Sequence, residues 1–407
     1  MSTAARRDRR VIFATATLRA LATSLMGALL GLYLDRLGYT PVELGIVLGI
    51  GLSGAVCSAL VVTFFGDRFG RRRSLVVLGL ASAVGGGALA FTTDFIAVSA
   101  LAFIGMVNGM GRDRGAMLVL EQAVLPGTTT DQDRTRAFAW YNVLQDVGHA
   151  VGSALVALPA LLRTILDVDA LVSFQSAVLL YAVLQMSAAL LCLRLSPAIE
   201  AADRKSPARG LSAASRAVLW RISALFALDS FAGGFLGSAL LAYFFHVHFG
   251  ASETTVAGLF FSARVANALS HFGAAWLAAR IGLVNTMVFT HIPSSIVLIL
   301  IPFAPDLWTA AALFLLREAF VEMDVPTRQS YVMAMVQPHE RVFSAGITQL
   351  VRMGGWAAAP FFAGPLMQGI ALATPLLLAG GMKIVYDVLL FQAFRRLRPP
   401  EELARRT

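Results

Sequence analysis

The sequence predicts an all-α membrane protein with twelve transmembrane helices in two pseudo-symmetric six-helix bundles. Three observations carry this. Of the 407 residues, 57% are hydrophobic and only 14% charged, well below the quarter or so that is charged in soluble chains. Apolar runs of about 20 residues, the length a helix needs to cross a bilayer core, recur along the chain between short polar turns. Landmarks of the first half also return about 212 residues later: Gly70 with Gly282, Arg68 with Arg280, Leu37-Gly38 with Phe249-Gly250, and Pro126 with Pro338.

Taken in order, the spans are expected at 11–34, 42–65, 74–93, 95–125, 137–162, 171–195, 217–248, 254–279, 284–303, 307–336, 342–370 and 373–394. Arg6, Arg7, Arg9 and Arg10 lead into a first span without a small-residue cleavage site, so it is expected to stay rather than be removed as a signal peptide. The only long polar interruption is 196–216, with Arg204, Lys205, Pro207 and Arg209. It divides the chain into an N-terminal bundle (1–195), a linker (196–216) and a C-terminal bundle (217–407).

Basic residues collect at both termini, in the linker and in alternate turns, while Arg36 and Arg163 stand on the other side. By the positive-inside rule both termini and the linker are cytoplasmic, and a bacterial-type inner membrane is expected. This asymmetry accounts for a pI near 10.2 without a nucleic-acid partner. Cys57 and Cys192 both fall in spans, which argues against a disulfide or a metal site. Motifs for a nucleophile elbow, a zinc protease or an ATP-binding loop are absent, so neither an enzyme nor a cofactor is expected.

The most informative stretch is Gly66-Asp67-Arg68-Phe69-Gly70-Arg71-Arg72-Arg73, read as a hydrophilic turn between spans two and three. Its glycines permit a close turn, and its aspartate can cap a helix or hold an arginine. Asp67-Arg68, Gly70 and Arg71-Arg72 resemble the loop between helices 2 and 3 of the major facilitator superfamily of secondary transporters. The usual spacer after the first glycine is missing here. In the second copy Ala279 stands where Asp67 does, and the arginine run is gone. With the linker and the internal repeat, the resemblance covers 11–395. It implies alternating access about a central site, and a gating role for Gly66, Asp67, Arg68, Gly70, Arg71 and Arg72.

Charges inside spans are costly, about 2.5–3.5 kcal/mol each on insertion scales, and usually face a cavity or a partner. The resemblance implies that spans 1, 4, 7 and 10 line the cavity, which selects Arg19, Arg112, Asp113, Asp229, Arg317 and Asp324. Span 8 adds Arg264, Asn267 and His271 at i, i+3, i+7 on one face. In span 10, Arg317, Asp324 and Arg328 share one sector of about 40°, and Glu318, Glu322 and Gln329 another. Span 5 carries Asn142, Asp146 and His149 at i, i+4, i+7.

Other charges read as structural. Lys383–Asp387 is an i, i+4 pair, and Glu121 is expected to latch onto a loop with Arg134 and Arg136. His246 and His248 read as interfacial, while Arg328 and Arg352, near the cytoplasmic ends of long helices, read equally as structural or as supports of the gate. Gly45, Gly49, Gly51 and Gly54 allow close helix approach, and Gly354, Gly355, Gly364, Pro360 and Pro365 make span 11 bendable.

The expected function is proton-coupled transport of a small organic solute by a monomer in the lipid bilayer, with export favoured over uptake. Glu318 and Glu322, one turn apart, are the expected proton site because like charges raise one of the two pKa values. Asp146 is the next candidate, and Asp229 is expected to stay ionised against Arg264. Two alternatives stand beside this. Uptake or exchange of an organic anion would use Arg19, Arg112, Arg114 and Arg264. A transporter-like sensor would move nothing.

Overall fold

The structure, a computed structural model, describes residues 3–113, 115–130, 133–200, 213–323 and 341–394. Asp324, Arg328, Gln329 and Arg114 lie outside the described residues, as do the side chains of Asp67, Arg134 and His271. Regular structure among the described residues is entirely helical.

The helices are α1 (Thr3–Arg36), α2 (Pro41–Phe69), α3 (Arg71–Ala88), α4 (Phe95–Ile104), α5 (Ala116–Val124), α6 (Arg134–Ala154), α7 (Leu158–Leu166) and α8 (Ala170–Cys192). The second half supplies α9 (Ala213–Gly234), α10 (Ser238–Phe249), α11 (Glu253–Ile281), α12 (Leu283–Leu300), α13 (Leu307–Val321), α14 (Arg341–Gly369) and α15 (Thr374–Phe394). Among the described residues they trace the expected spans, three of them as pairs: α4 with α5, α6 with α7, and α9 with α10. Phe64, Phe91, Ile96, Leu269 and Phe303 are among many large apolar side chains left exposed, which suits a lipid solvent.

Local sequence explains how the elements begin. Thr40 caps α2 through a capping box: Glu43 N donates to Thr40 Oγ1 (3.3 Å), and Thr40 N donates to Glu43 Oε2 (2.8 Å). Pro41 holds the first helical position, where its missing N–H costs nothing. Asp94 accepts from Ala97 N (2.9 Å) at the start of α4. Asp306 accepts from Trp308 N (2.8 Å) and Thr309 N (2.9 Å) at the start of α13. Bonds from Thr309 hold the exposed Asp306 carboxyl below the ordinary carboxylate range.

These caps reveal the repeat in three dimensions. Asp94 and Asp306, Thr40 and Ser252, Gly38 and Gly250, and Gly70 and Gly282 are each 212 residues apart. Ser252 Oγ accepts from Thr255 N (3.1 Å), as Thr40 does from Glu43. The four glycines Gly38, Gly250, Gly70 and Gly282 have φ of 83°, 66°, 90° and 87°, a region that a side chain disfavours.

Two expectations about continuity change. Span four is interrupted between Ile104 and Ala116, and span seven at 235–237. In the first break Met106 has φ 50° and Gly111 φ 70°. Asn108 closes the break on itself: its Nδ2 donates to Arg112 O (2.7 Å), and its Oδ1 accepts from Met110 N (2.7 Å). Gly111 lies so close to α1 that a Cβ on Gly27 would sit 2.2 Å from Gly111 Cα. Ala239 N, just after the second break, donates to Gly109 O in the first (2.9 Å), and Ser238 Oγ donates to Met110 O (3.0 Å). Unwound backbone at membrane depth persists where protein satisfies it in this way.

The expected turn 66–73 shrinks to a single residue. α2 continues to Phe69, Gly70 alone breaks the helix, and α3 starts at Arg71.

The chain forms two compact units. One contains residues 1–204, 237–261 and 360–369, with α1 packed on α6, α8 and α10, α3 on α8, and α2 on α4. The other contains residues 205–236, 262–359 and 370–407. There α12 packs on α13 and α15, and α9 on α15, around Ile222, Phe226, Met287, Val288, Tyr386 and Leu390.

Candidate functional site

The first unit encloses a charge network built from three separated parts of the chain. Arg19, on α1 and 3% exposed, donates Nη1 to Glu121 Oε1 (2.6 Å) and Nη2 to Glu121 Oε2 (2.7 Å). Its Nε donates to Asp113 Oδ2. Glu121, fully buried on α5, also accepts from Thr15 Oγ1 (2.9 Å) and Tyr141 Oη (2.8 Å). The bidentate arginine and these two hydroxyls set four donor groups around the Glu121 carboxylate. Glu121 therefore faces inward to Arg19, whereas a latch to the Arg134–Arg136 segment was expected.

Asp113 is 9% exposed and sits in the break of span four. Its Oδ1 accepts from Gly115 N at 3.3 Å, and its own N–H donates to His149 Nε2 (3.1 Å). The face expected for span five divides accordingly: His149 is buried, while Asn142 and Asp146 are exposed. Arg112, half-buried beside Asp113, contributes its carbonyl to the Asn108 bond.

A second set of charges occupies the other unit. Asp229, on α9 and 4% exposed, accepts from Lys383 Nζ (2.7 Å), and Arg352 Nη2 lies 4.0 Å from its other oxygen. Asp387 is bonded by His291 Nδ1 (3.0 Å). The expected i, i+4 pair of Lys383 and Asp387 is thus divided between two partners on other helices. Arg352 also lies over the Trp356 ring, 4.9 Å from its centroid.

On α13 Arg317 Nη1 donates to Glu318 Oε1, and Asn267 Nδ2 from α11 donates to Glu318 Oε2 (2.9 Å). Glu318 therefore has a cation and an amide of its own. Glu322 caps the C-terminal end of α13, half-buried. Arg264 is half-buried on α11, one turn before Asn267.

At the Gly70 end, the arginine-rich junction is held by a residue not singled out from the sequence. The Glu200 carboxylate accepts from Arg71 N (2.6 Å) and Arg72 N (2.9 Å), which caps α3. The start of the linker is tied down as well: buried Asp8 accepts from Ser196 N (3.0 Å) and Ser196 Oγ. The only signal for Glu200 was an acid shortly after span six, with nothing to indicate its partner. Arg68 is exposed at the end of α2.

At the opposite end, Arg163 Nη2 donates to Glu253 Oε1 (2.8 Å), and His246 Nε2 lies 3.7 Å from Asp35 Oδ2. These residues, with Arg36 and Phe174, surround a polar pocket.

The Major Facilitator Superfamily model matches residues 12–360. The chain belongs to this superfamily. It is a membrane transporter of the twelve-helix fold and not an enzyme. An uncharacterized membrane protein of Saccharomyces cerevisiae is 25% identical, with 95% of this chain and 94% of that one covered. Among solved structures, a point mutant of the nucleoside transporter NupG superposes with a TM-score of 0.77 at 15% identity, covering 95% of this chain and 99% of NupG. A mutant of the peptide transporter POT, in complex with sulfate, gives 0.73 at 12% identity, covering 95% of this chain and 94% of that one. Proteins with such different cargo share this fold, so the fold does not name a substrate.

Proposed function

We propose that this transporter moves a small organic solute across a cytoplasmic membrane by alternating access, coupled to protons. The observation that carries the coupling is the sharing of one guanidinium, Arg19, by two buried carboxylates, Asp113 and Glu121. A buried charge in excess of its counter-charges is expensive and is relieved by taking up a proton.

In this proposal residues 1–195 and 217–407 act as the two bundles, joined by 196–216, with both termini cytoplasmic and the protein monomeric. The Gly70 end is then cytoplasmic by its arginines, and Gly66, Asp67, Arg68, Gly70, Arg71 and Arg72 form the gate. Arg112, Asp229, Arg264, Asn267, His271, Arg317 and Asp324 are the cavity candidates. Export is the direction favoured, on general likeness to drug-efflux members.

Organic-anion exchange is the second reading. It is favoured by Arg317, whose buried Nε has no acceptor among the described residues.

The test is reconstitution in proteoliposomes with labelled nucleosides, dipeptides, organic cations and organic anions, with and without an imposed pH gradient. Accumulation that depends on the gradient is expected. Accumulation of anions indifferent to the gradient would support exchange instead. A protein that binds solutes and moves none of them would be a sensor.

A further inference from the structure

We infer that Asp113 is the proton-binding carboxylate of the transport cycle, and that water in a cavity inside the first half of the chain serves it. This rests on the proton-coupled reading above and assigns it a site that differs from Asp146, Glu318 and Glu322.

Three geometric facts separate Asp113 from the other acids. The first is the distribution of donors. Glu121 takes both Arg19 Nη groups and two hydroxyls, while Asp113 Oδ1 receives one long bond from Gly115 N. Arg19, Glu121 and an ionised Asp113 together carry a net negative charge. A neutral Asp113 leaves a balanced ion pair.

The second is the state of His149. Its Nε2 accepts the Asp113 N–H, so that nitrogen carries a lone pair and not a proton.

The third is water access. Asp113 lines a cavity of about 40 Å³ with Arg19, Thr23, Ser82, Asn108 and Gln185. That exceeds the roughly 10–15 Å³ that a single water needs, so the cavity has room for water. Gln185, 4% exposed, has a buried Oε1 with no hydrogen-bond partner among the described residues, and a water would satisfy it.

The groups facing Asp113 are Arg19 on α1, Glu121 on α5, Tyr141 and His149 on α6, and Tyr181 on α8. α2 and α3 contribute Ala55, Leu78 and Ser82 to the cavity, none of which titrates. Arg112 precedes Asp113 in the chain, and Arg114, outside the described residues, follows it. In the proposed step an excess proton from the medium is relayed through the cavity waters: the water next to Asp113 breaks one O–H bond as the Asp113 Oδ1–H bond forms, and it is restored to neutral water by the proton it receives from behind. The same bond breaks when the proton returns to water on the other side. Arg19 stays bonded to Glu121 throughout. Glu318 is less suited, because the Arg317 guanidinium that donates to it bonds no second carboxylate among the described residues.

The test needs no substrate, because the probe is the proton. Infrared difference spectra between acid and alkaline buffer are recorded on the full-length protein in liposomes. The carbonyl band of a protonated buried carboxylic acid is expected in the parent and in Glu318→Gln, Glu322→Gln and Asp146→Asn. It is expected to vanish in Asp113→Asn and to return, shifted in frequency, in Asp113→Glu. The Asp113→Glu variant keeps the assignment testable if Asp113→Asn folds poorly. Persistence of the band in Asp113→Asn, its absence from the parent, or its loss in Glu318→Gln instead would overturn the inference. A pH-sensitive dye in the same liposomes reports proton flow when the solute mixture is added. A silent dye with the Asp113 band present would sink the proton-coupled reading while leaving the proton site in place.

Discussion

Arg163 and Glu253, ninety residues apart in sequence, are joined by a 2.8 Å hydrogen bond from Nη2 to Oε1. Arg163 is on α7 and Glu253 is the first residue of α11, so the bond ties one half of the chain to the other within the first compact unit. Arg163 Nη1 also donates to Ser173 Oγ (3.1 Å). The side chains are 29% and 16% exposed, so solvent screens the pair, and it contributes up to about 1 kcal/mol. A bond of that strength can form and break in every cycle.

The first prediction follows from that light latch. Glu253→Gln is expected to shift the balance between conformations by up to about fivefold, the equivalent of about 1 kcal/mol. Spin labels at Leu166 and Val247, both exposed, would report a larger population at long distance. The charge reversal Arg163→Glu with Glu253→Arg should restore the parent distribution. An unchanged distribution in Glu253→Gln would show that the pair is ornamental.

The second concerns Glu200 and the junction at Gly70. Two backbone N–H groups at the start of α3 are satisfied by one carboxylate, and an anion at a helix N-terminus is worth about 0.3–1 kcal/mol. Glu200→Gln should speed amide exchange at Arg71 and Arg72 by a few-fold and lower transport. Asp67→Asn should lower transport while leaving the protein in the membrane, because Asp67 is the only acid among four arginines. Normal transport in both variants would reduce the junction to a topology signal.

The third concerns Lys383 and Asp229, both more than nine-tenths buried. Removing the cation in Lys383→Met leaves the carboxylate facing Arg352 at 4.0 Å. Breaking a buried pair costs about 3–5 kcal/mol, and the nearby arginine should bring the loss to the lower end. Lys383→Met should therefore melt earlier in detergent than the parent, and Lys383→Met with Asp229→Asn should recover much of the difference. Equal melting of the single and double variants would count against a buried pair.

Much of the architecture was legible in the residues. Hydropathy marks where helices cross the bilayer, and left-handed turns demand glycine, so Gly38, Gly70, Gly250 and Gly282 announced the repeat. The breaks in spans four and seven were harder to see. Gly105, Gly111, Gly234 and Gly237 are there to be read, but a glycine in a membrane helix serves close packing as readily as unwinding. The break became visible only once Gly27 was found against Gly111 and Ala239 bonded to Gly109.

Partner choice was the part the linear order could not carry. Helical periodicity relates a residue to those three or four positions away, which is why Lys383 was matched with Asp387 and Glu318 with Glu322. Lys383 lies 154 positions from Asp229, and Arg19 lies 102 from Glu121. Such pairs form because two helices pack at a particular rotation, and that rotation is a property of the whole bundle. The amino-acid sequence by itself determined the spans, the repeat and the superfamily, since each depends on hydropathy, turn chemistry or local spacing. Only the tertiary structure decided which charges neutralise one another, because in a low-dielectric interior each buried ion must find its counter-charge in space rather than along the chain.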